Sequence, residues 1–221
     1  MMTDNATVGI TDTDEPWRLC YEDEALLVVS KPTRMLSVPG KAAHKTDCLI
    51  SRVWREFPEA RIVHRLDWDT SGLMVLARHA RAHRILSKAF QERQVHKRYL
   101  ALVAGELAMA SGEINLPLGP DPERKPRHRV DYEHGRPSLT LYQRLEVIDG
   151  MTRVALIPVT GRSHQLRVHL LAIGHPIIGD SLYAPPPILA MSHRLMLHAE
   201  YLGFAHPLTG KWFEIEDPAP F

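Results

Sequence analysis

The chain has 221 residues, 44% of them hydrophobic and 24% charged, which is enough for a real core and describes a soluble globular protein. No apolar run approaches the ~18 residues of a membrane span, and two cysteines exclude a disulfide framework or a cysteine zinc site on count. The net charge of +1 hides an asymmetry: residues 1–24 hold seven acidic residues against Arg18, leaving 26 basic and 19 acidic residues in the rest of the chain. A moderately basic body with an acidic tail is compatible with a nucleic-acid partner. Residues 1–16 are polar, aperiodic and without an apolar signal-peptide core, so they are expected to be a disordered acidic tail in a cytoplasmic protein.

In chain order, Tyr21–Glu24 reads as a turn before a buried strand at Ala25–Val29. Lys31–Gly40 is a Pro-punctuated loop, and Leu49–Phe57 a short helix stopped by Pro58. Next comes Val63-His64-Arg65-Leu66-Asp67-Trp68-Asp69-Thr70-Ser71-Gly72, which crowds charge between apolar runs and leads into a buried strand at Leu73–Ala77. A solvated loop is the plain reading of such charge. In an extended backbone, however, Arg65 and Asp67 point to one side. A carboxylate held on a turn beside a guanidinium suits a nucleophile or an electrostatic stabiliser.

Ala80–Gln94 carries Ala82, Ile85, Leu86, Ala89 and Phe90 at helical spacing, with cationic residues opposite. Lys97–Gly105 is a largely apolar strand containing Tyr99, which is either packing or a ring able to stack on an extruded base. Residues 115–136 are Pro-rich and basic, with Arg124, Lys125, Arg127 and Arg129 close together. Leu139–Val147 and Thr152–Pro158 pair across Asp149-Gly150. Ser163–Ile173 is a helix stopped by Gly174, and Met196–Ala205 with Trp212–Ile215 is a closing hairpin. Strands mixed with a few helices indicate an α+β domain on a mixed sheet.

Five stretches stand out, in this order: His64–Ala77; Lys97-x-Tyr99; Thr160-Gly161-Arg162-Ser163-His164-Gln165-Leu166-Arg167-Val168-His169; Gly174–Asp180; and Leu195–Ala199. Together they resemble the RluA-type RNA pseudouridine synthases, from about Trp17 to Phe221. The resemblance implies a catalytic domain over 17–221, with a mostly antiparallel mixed sheet, flanking helices and a central cleft. By the same resemblance Asp67 attacks the target nucleotide, Arg65 enters the helix stack or orders the flipped nucleotide, and His64 is a further substrate-binding residue. Tyr99 stacks on the uracil and assists deprotonation at C5, Arg162 pairs with Asp67, and Leu197 walls the pocket. The basic run Arg124, Lys125, Arg127 and Arg129 is expected to contact phosphates.

The isomerisation adds and removes no atoms, so neither cofactor nor metal is expected; the histidines at 64, 164 and 169 lack metal-ligand spacing. The implied partners are 23S ribosomal RNA and a tRNA anticodon stem-loop, bound by a monomer without an extra N-terminal RNA-binding module. Two other classes compete. A hydrolytic glycosidase or N-glycosylase would use Asp67 and Asp69 as a carboxylate pair. A non-catalytic RNA-binding protein would need the basic residues and not Asp67.

Overall fold

A computed structural model describes residues 16–40 and 46–221, so the expected acidic tail lies, Pro16 apart, outside the described residues. The elements are β1 (Arg18–Glu22), β2 (Leu26–Lys31), α1 (Leu49–Val53), β3 (Arg61–Ile62), β4 (Ser71–Ala77), α2 (Ala80–Gln91), β5 (His96–Ala104) and β6 (Ser111–Asn115). They continue as β7 (Leu118–Pro120), β8 (His128–Val130), β9 (Leu139–Ile148), β10 (Met151–Pro158), α3 (Gln165–Ala172), α4 (Pro186–Leu189), β11 (Leu197–Ala205) and β12 (Trp212–Glu216). One ten-stranded sheet runs β1-β2-β4-β11-β5-β10-β9-β6, with β3 added beside β4 and β12 beside β11. β7 and β8 form a separate small ladder. The sheet is mixed and mostly antiparallel, as the resemblance implies; its parallel pair is β4 with β11.

β4 is buried along its whole length because both faces of the sheet are covered there. Met74 and Leu76 pack with Leu27, Val29, Leu49 and Val53 on the α1 side. Leu73, Val75 and Ala77 pack with Leu26, Val28, Ala82 and Leu86 on the α2 side. A strand buried on both faces needs a continuous apolar run rather than alternation, which is what Leu73–Ala77 supplies. Each fully buried Leu or Val there contributes roughly 1.5–3 kcal/mol of transfer free energy. A third cluster joins β5, β10 and α3 through Ala101, Val103, Val154, Leu156, Leu166 and Leu170.

Where β4 and β11 begin side by side, Ser71 lies opposite His198 and Gly72 opposite Ala199. The approach is so close that a Cβ on Gly72 would sit 2.3 Å from the Ala199 carbonyl oxygen, and Gly72 has φ +112°. Only glycine meets both conditions. The catalytic-type loop Val63–Thr70 thus enters the sheet at a fixed point. Two helices end earlier than their spacing suggests. α2 stops at Gln91, where Arg93 turns into the left-handed region with φ 59°, and α1 is a single five-residue turn. β1, β6 and α4 were not legible as elements: each is only four or five residues long, too short to show a period.

Candidate active site

The loop 31–37 clamps the loop that carries Asp67. The buried Lys31 ammonium donates to the Pro32 and Met35 carbonyls at 2.8 Å each and to the Trp68 carbonyl at 3.1 Å. Thr33 Oγ1 donates to the Asp69 carbonyl at 2.7 Å, and the Met35 N–H to the Trp68 carbonyl at 3.2 Å. Ser37 Oγ donates to the Leu66 carbonyl at 2.8 Å and accepts from the Leu66 N–H at 3.1 Å. The Asp67 carbonyl accepts from the Thr70 N–H at 3.2 Å and closes the turn. From below, Ser71 Oγ meets His198 Nδ1 at 2.8 Å and accepts from Arg194 Nη2 at 2.5 Å. The loop backbone is held on several sides, which is how a reacting group is kept in one geometry. Burial pushes Lys31 down to about 7, against the pull of the Asp67 and Asp69 carboxylates.

Asp67 is partly buried, and its neighbouring cation is Arg167, whose Nη1 lies 4.0 Å from Asp67 Oδ2. Arg167 is 2% exposed and makes a two-pronged pair with the fully buried Asp180, Nε to Oδ2 at 2.8 Å and Nη2 to Oδ1 at 2.5 Å. Its Nη2 also stands 3.5 Å from Asp69 Oδ2, and its guanidinium lies over the Tyr183 ring at 5.2 Å. Burial opposes the charge on Arg167, but the Asp180 hydrogen bonds and the three carboxylates outweigh it and raise its pKa.

The expected pairing of Arg162 with Asp67 is therefore corrected. Arg162 lies in the turn before α3, where its N–H is held by Gln165 Oε1 at 3.1 Å and its guanidinium reaches the Pro137 carbonyl at 3.4 Å. Arg167 sits one residue after Leu166 in the first turn of α3 and turns inward. Arg162 still lines the cleft, at its outer wall.

Tyr99 stands on β5 opposite Ala199, and Leu197 lies two residues along β11, opposite Ala101. Both side chains line the same cleft as Asp67, a cavity of about 970 Å³ whose wall also includes Arg65 and His128. Burial, and then the Asp67 charge, push the Tyr99 hydroxyl far up, so it stays protonated. Arg65 is exposed at the mouth. His64 faces the cleft too, but its Nε2 accepts from the Val75 N–H at 3.1 Å and its ring stacks on Phe90 at 4.4 Å. That nitrogen is committed to β4, not free for a ligand.

Burial pushes His64 down to about 3, with the Lys97 charge adding to the effect. A histidine whose folded pKa lies below its unfolded value of about 6.5 costs no stability at neutral pH. Below about 6.5 the unfolded chain takes up a proton that the folded one refuses, so stability falls until about pH 3. His64→Gln keeps an acceptor and removes this titration. Its stability profile between pH 6 and 4 should be shallower than the parent's by up to one proton in slope; parallel profiles from urea melts would refute the assignment.

The basic run reaches the rim of the cleft through Pro126 and His128; Arg124, Lys125, Arg127 and Arg129 are not among the lining residues. Arg124 Nε pairs with Asp121 Oδ2 at 3.0 Å, and Arg127 lies over the Tyr183 ring at 6.0 Å. The Tyr183 hydroxyl accepts from the His128 N–H at 2.8 Å and meets His164 Nδ1 at 2.6 Å. Tyr183 thus ties this rim to Arg167 at the floor. Lys31 and Tyr183 were not singled out from sequence, and Asp180 was marked only as the end of the stretch Gly174–Asp180, with no role given. The usable signals were the Lys31-Pro32 pair and the Gly179-Asp180 step after a buried run.

This arrangement matches a known family. A family model described as RNA pseudouridylate synthase matches residues 25–172. The chain belongs to the RNA pseudouridine synthase family, isomerases that act on uridine in RNA. The dual-specificity RNA pseudouridine synthase RluA of Pasteurella multocida (strain Pm70) is 45% identical over 98% of this chain and 100% of its own length. The protein of the same name from Escherichia coli (strain K12) is 46% identical over 94% and 95%. Among solved structures, Human RNA Pseudouridylate Synthase Domain Containing 1 superposes with a TM-score of 0.80 and 32% identity, over 95% of this chain and 86% of that one. No helix among the described residues is long and apolar enough to cross a membrane.

Proposed function

We propose that this chain acts as a monomer in the cytoplasm and converts a loop uridine to pseudouridine in both 23S ribosomal RNA and a tRNA anticodon stem-loop. The single observation that carries the reading is the geometry around Asp67: a carboxylate on a clamped turn, beside a buried Arg167–Asp180 pair and a protonated Tyr99, in a cleft wide enough for a flipped nucleotide. The dual specificity in the names of its relatives supports two RNA targets. The catalytic domain spans 17–221.

The target nucleotide leaves its stack and enters the cleft, with Arg65 at the mouth to occupy or order the vacated position. Asp67 attacks it, the bond from C1′ to N1 breaks, and the uracil stays in the pocket. Tyr99 and Leu197 hold the ring while it turns, and the apolar wall keeps out water that would divert the reaction to hydrolysis. C5 of the turned ring bonds C1′ as the C1′–Asp67 bond breaks and Asp67 leaves as a carboxylate; the proton lost from C5 is balanced by one taken up at N1. Because the Tyr99 hydroxyl is protonated, it serves that step as a relay, passing its own proton to the released Asp67 carboxylate as it accepts the one from C5. Arg167 places positive charge beside Asp67 throughout. Asp69 is taken up by Arg167 and by Ser181 Oγ at 3.2 Å, which argues against its acting as the second carboxylate of a hydrolase.

Incubation with RNA and detection of pseudouridine is the direct test. Because the cleft of the catalytic domain takes in a single loop, an excised anticodon stem-loop should be modified nearly as well as the full tRNA at equal concentration. Reaction of the full-length RNA alone would overturn the small-footprint reading, and release of free uracil would identify an N-glycosylase.

The rim is expected to act on binding. Neutralising Arg124, Lys125, Arg127 and Arg129 together should raise KM and flatten the salt dependence with kcat little changed, because phosphate contacts position and do not react. An unchanged salt slope would reject the rim as an RNA contact.

A further inference from the structure

A second cavity, of about 470 Å³, opens beside the cleft and shares Phe90, Arg93, Lys97, Pro158 and Val159 with it. Nothing in the reaction uses it. Its outer wall carries Ile157, which is 45% exposed although it lies at the end of a core strand. Its rim is cationic, and the cations fall into two kinds. Arg98 is satisfied within the fold, by Glu200 at 2.6 Å, Glu216 at 3.0 Å and the Tyr201 ring at 5.2 Å. Arg93 and Lys97 make no ion pair with a carboxylate among the described residues. They are also close enough that the Arg93 charge, after burial, lowers the Lys97 pKa. Arg93 is fixed in this place by its left-handed backbone, φ 59°, at the end of α2. Two neighbouring cations without a counter-ion are costly unless a polyanion supplies one.

Lys97 stands two residues before Tyr99 on β5, so it is one strand repeat of roughly 6.6 Å from the pocket floor. Within the span of a single nucleotide the protein therefore offers a site for the flipped uridine, then a pair of cations, then an apolar recess. Resting on the reading that RNA is the substrate, we propose that this recess receives the nucleotide flanking the target uridine, its base against Ile157 and Pro158 and the connecting phosphate at Arg93 and Lys97. Apolar contact with a base face tolerates any base, so the recess would supply affinity and register rather than sequence choice.

The test measures Kd for a stem-loop RNA in an Asp67→Asn background, so that turnover does not intervene. Two further RNAs each replace one flanking nucleotide, 5′ or 3′, by an abasic residue. One of them should bind about tenfold more weakly, within the range for loss of one stacked base. In the Ile157→Ser variant the intact RNA should bind more weakly and the abasic penalty should largely vanish. Arg93→Gln should lower the salt slope by about one. Both side chains are exposed, and thermal melting checks that the variants fold. Equal binding of all three RNAs, or an abasic penalty that Ile157→Ser leaves intact, overturns the recess. An unchanged salt slope in Arg93→Gln overturns the phosphate contact. If the parent binds no stem-loop at all, the RNA reading fails and the recess with it; binding without flank dependence removes the recess alone.

Discussion

Asp67→Asn should fold and bind RNA like the parent while losing essentially all turnover. The substitution keeps the shape of the side chain and removes the charge that attacks. The turn beneath it does not depend on that charge: Lys31, Thr33, Met35 and Ser37 hold the loop through the backbone of Leu66, Trp68 and Asp69. Loss of turnover with unchanged melting and unchanged Kd would therefore report chemistry. Pseudouridine formation above a few per cent of the parent rate would remove Asp67 as nucleophile. The same RNA can be assayed with Asp69→Asn, which should retain substantial activity because Asp69 contacts Arg167 and Ser181 rather than the open cleft.

Much of the fold was legible because burial left a periodic trace. The run Leu73–Ala77 is apolar at every position since β4 is covered on both faces, and Asp149-Gly150 marks the β9–β10 turn. β6 was illegible for the opposite reason: in Ser111–Asn115 only Ile114 is buried, so alternation has nothing to repeat. The site was legible where the motif is local. His64–Thr70 is one continuous loop leading into β4, and its charge between apolar runs gives it away. The guanidinium beside Asp67 was not local, and the resemblance pointed to Arg162, five residues before Arg167 in the same stretch.

Helical geometry distinguishes them in retrospect. Arg167 precedes the buried Leu170 by three residues and so shares its inward side, whereas Arg162 precedes the helix altogether. His64 is a second instructive case. Its place in the motif suggested a ligand-facing residue, but its Nε2 is spent on the Val75 N–H, a bond no sequence pattern announces.

Arg167→Lys should be far more damaging than Arg162→Lys. A lysine presents one point charge and cannot hold both Asp180 oxygens while facing Asp69 and Asp67. A fall in kcat of about a hundredfold or more is expected, comparable with removing a preorganised electrostatic group. Arg162→Lys, whose parent side chain reaches only the Pro137 carbonyl at 3.4 Å, should stay within about tenfold of the parent. Stability and activity separate in a second set of variants. Arg167→Met strands the fully buried Asp180 and should cost about 3–5 kcal/mol. Pairing it with Asp180→Leu removes the stranded charge and should recover much of that loss in urea melts, because a buried ion pair replaced by apolar groups is often near neutral. Activity should not return in the double variant, since no cation then faces Asp67. Recovery of turnover along with stability would mean that Arg167 only props up α3 and the loop at Asp180. Equal losses in Arg162→Lys and Arg167→Lys would restore Arg162 to the catalytic role that its position in the motif first suggested.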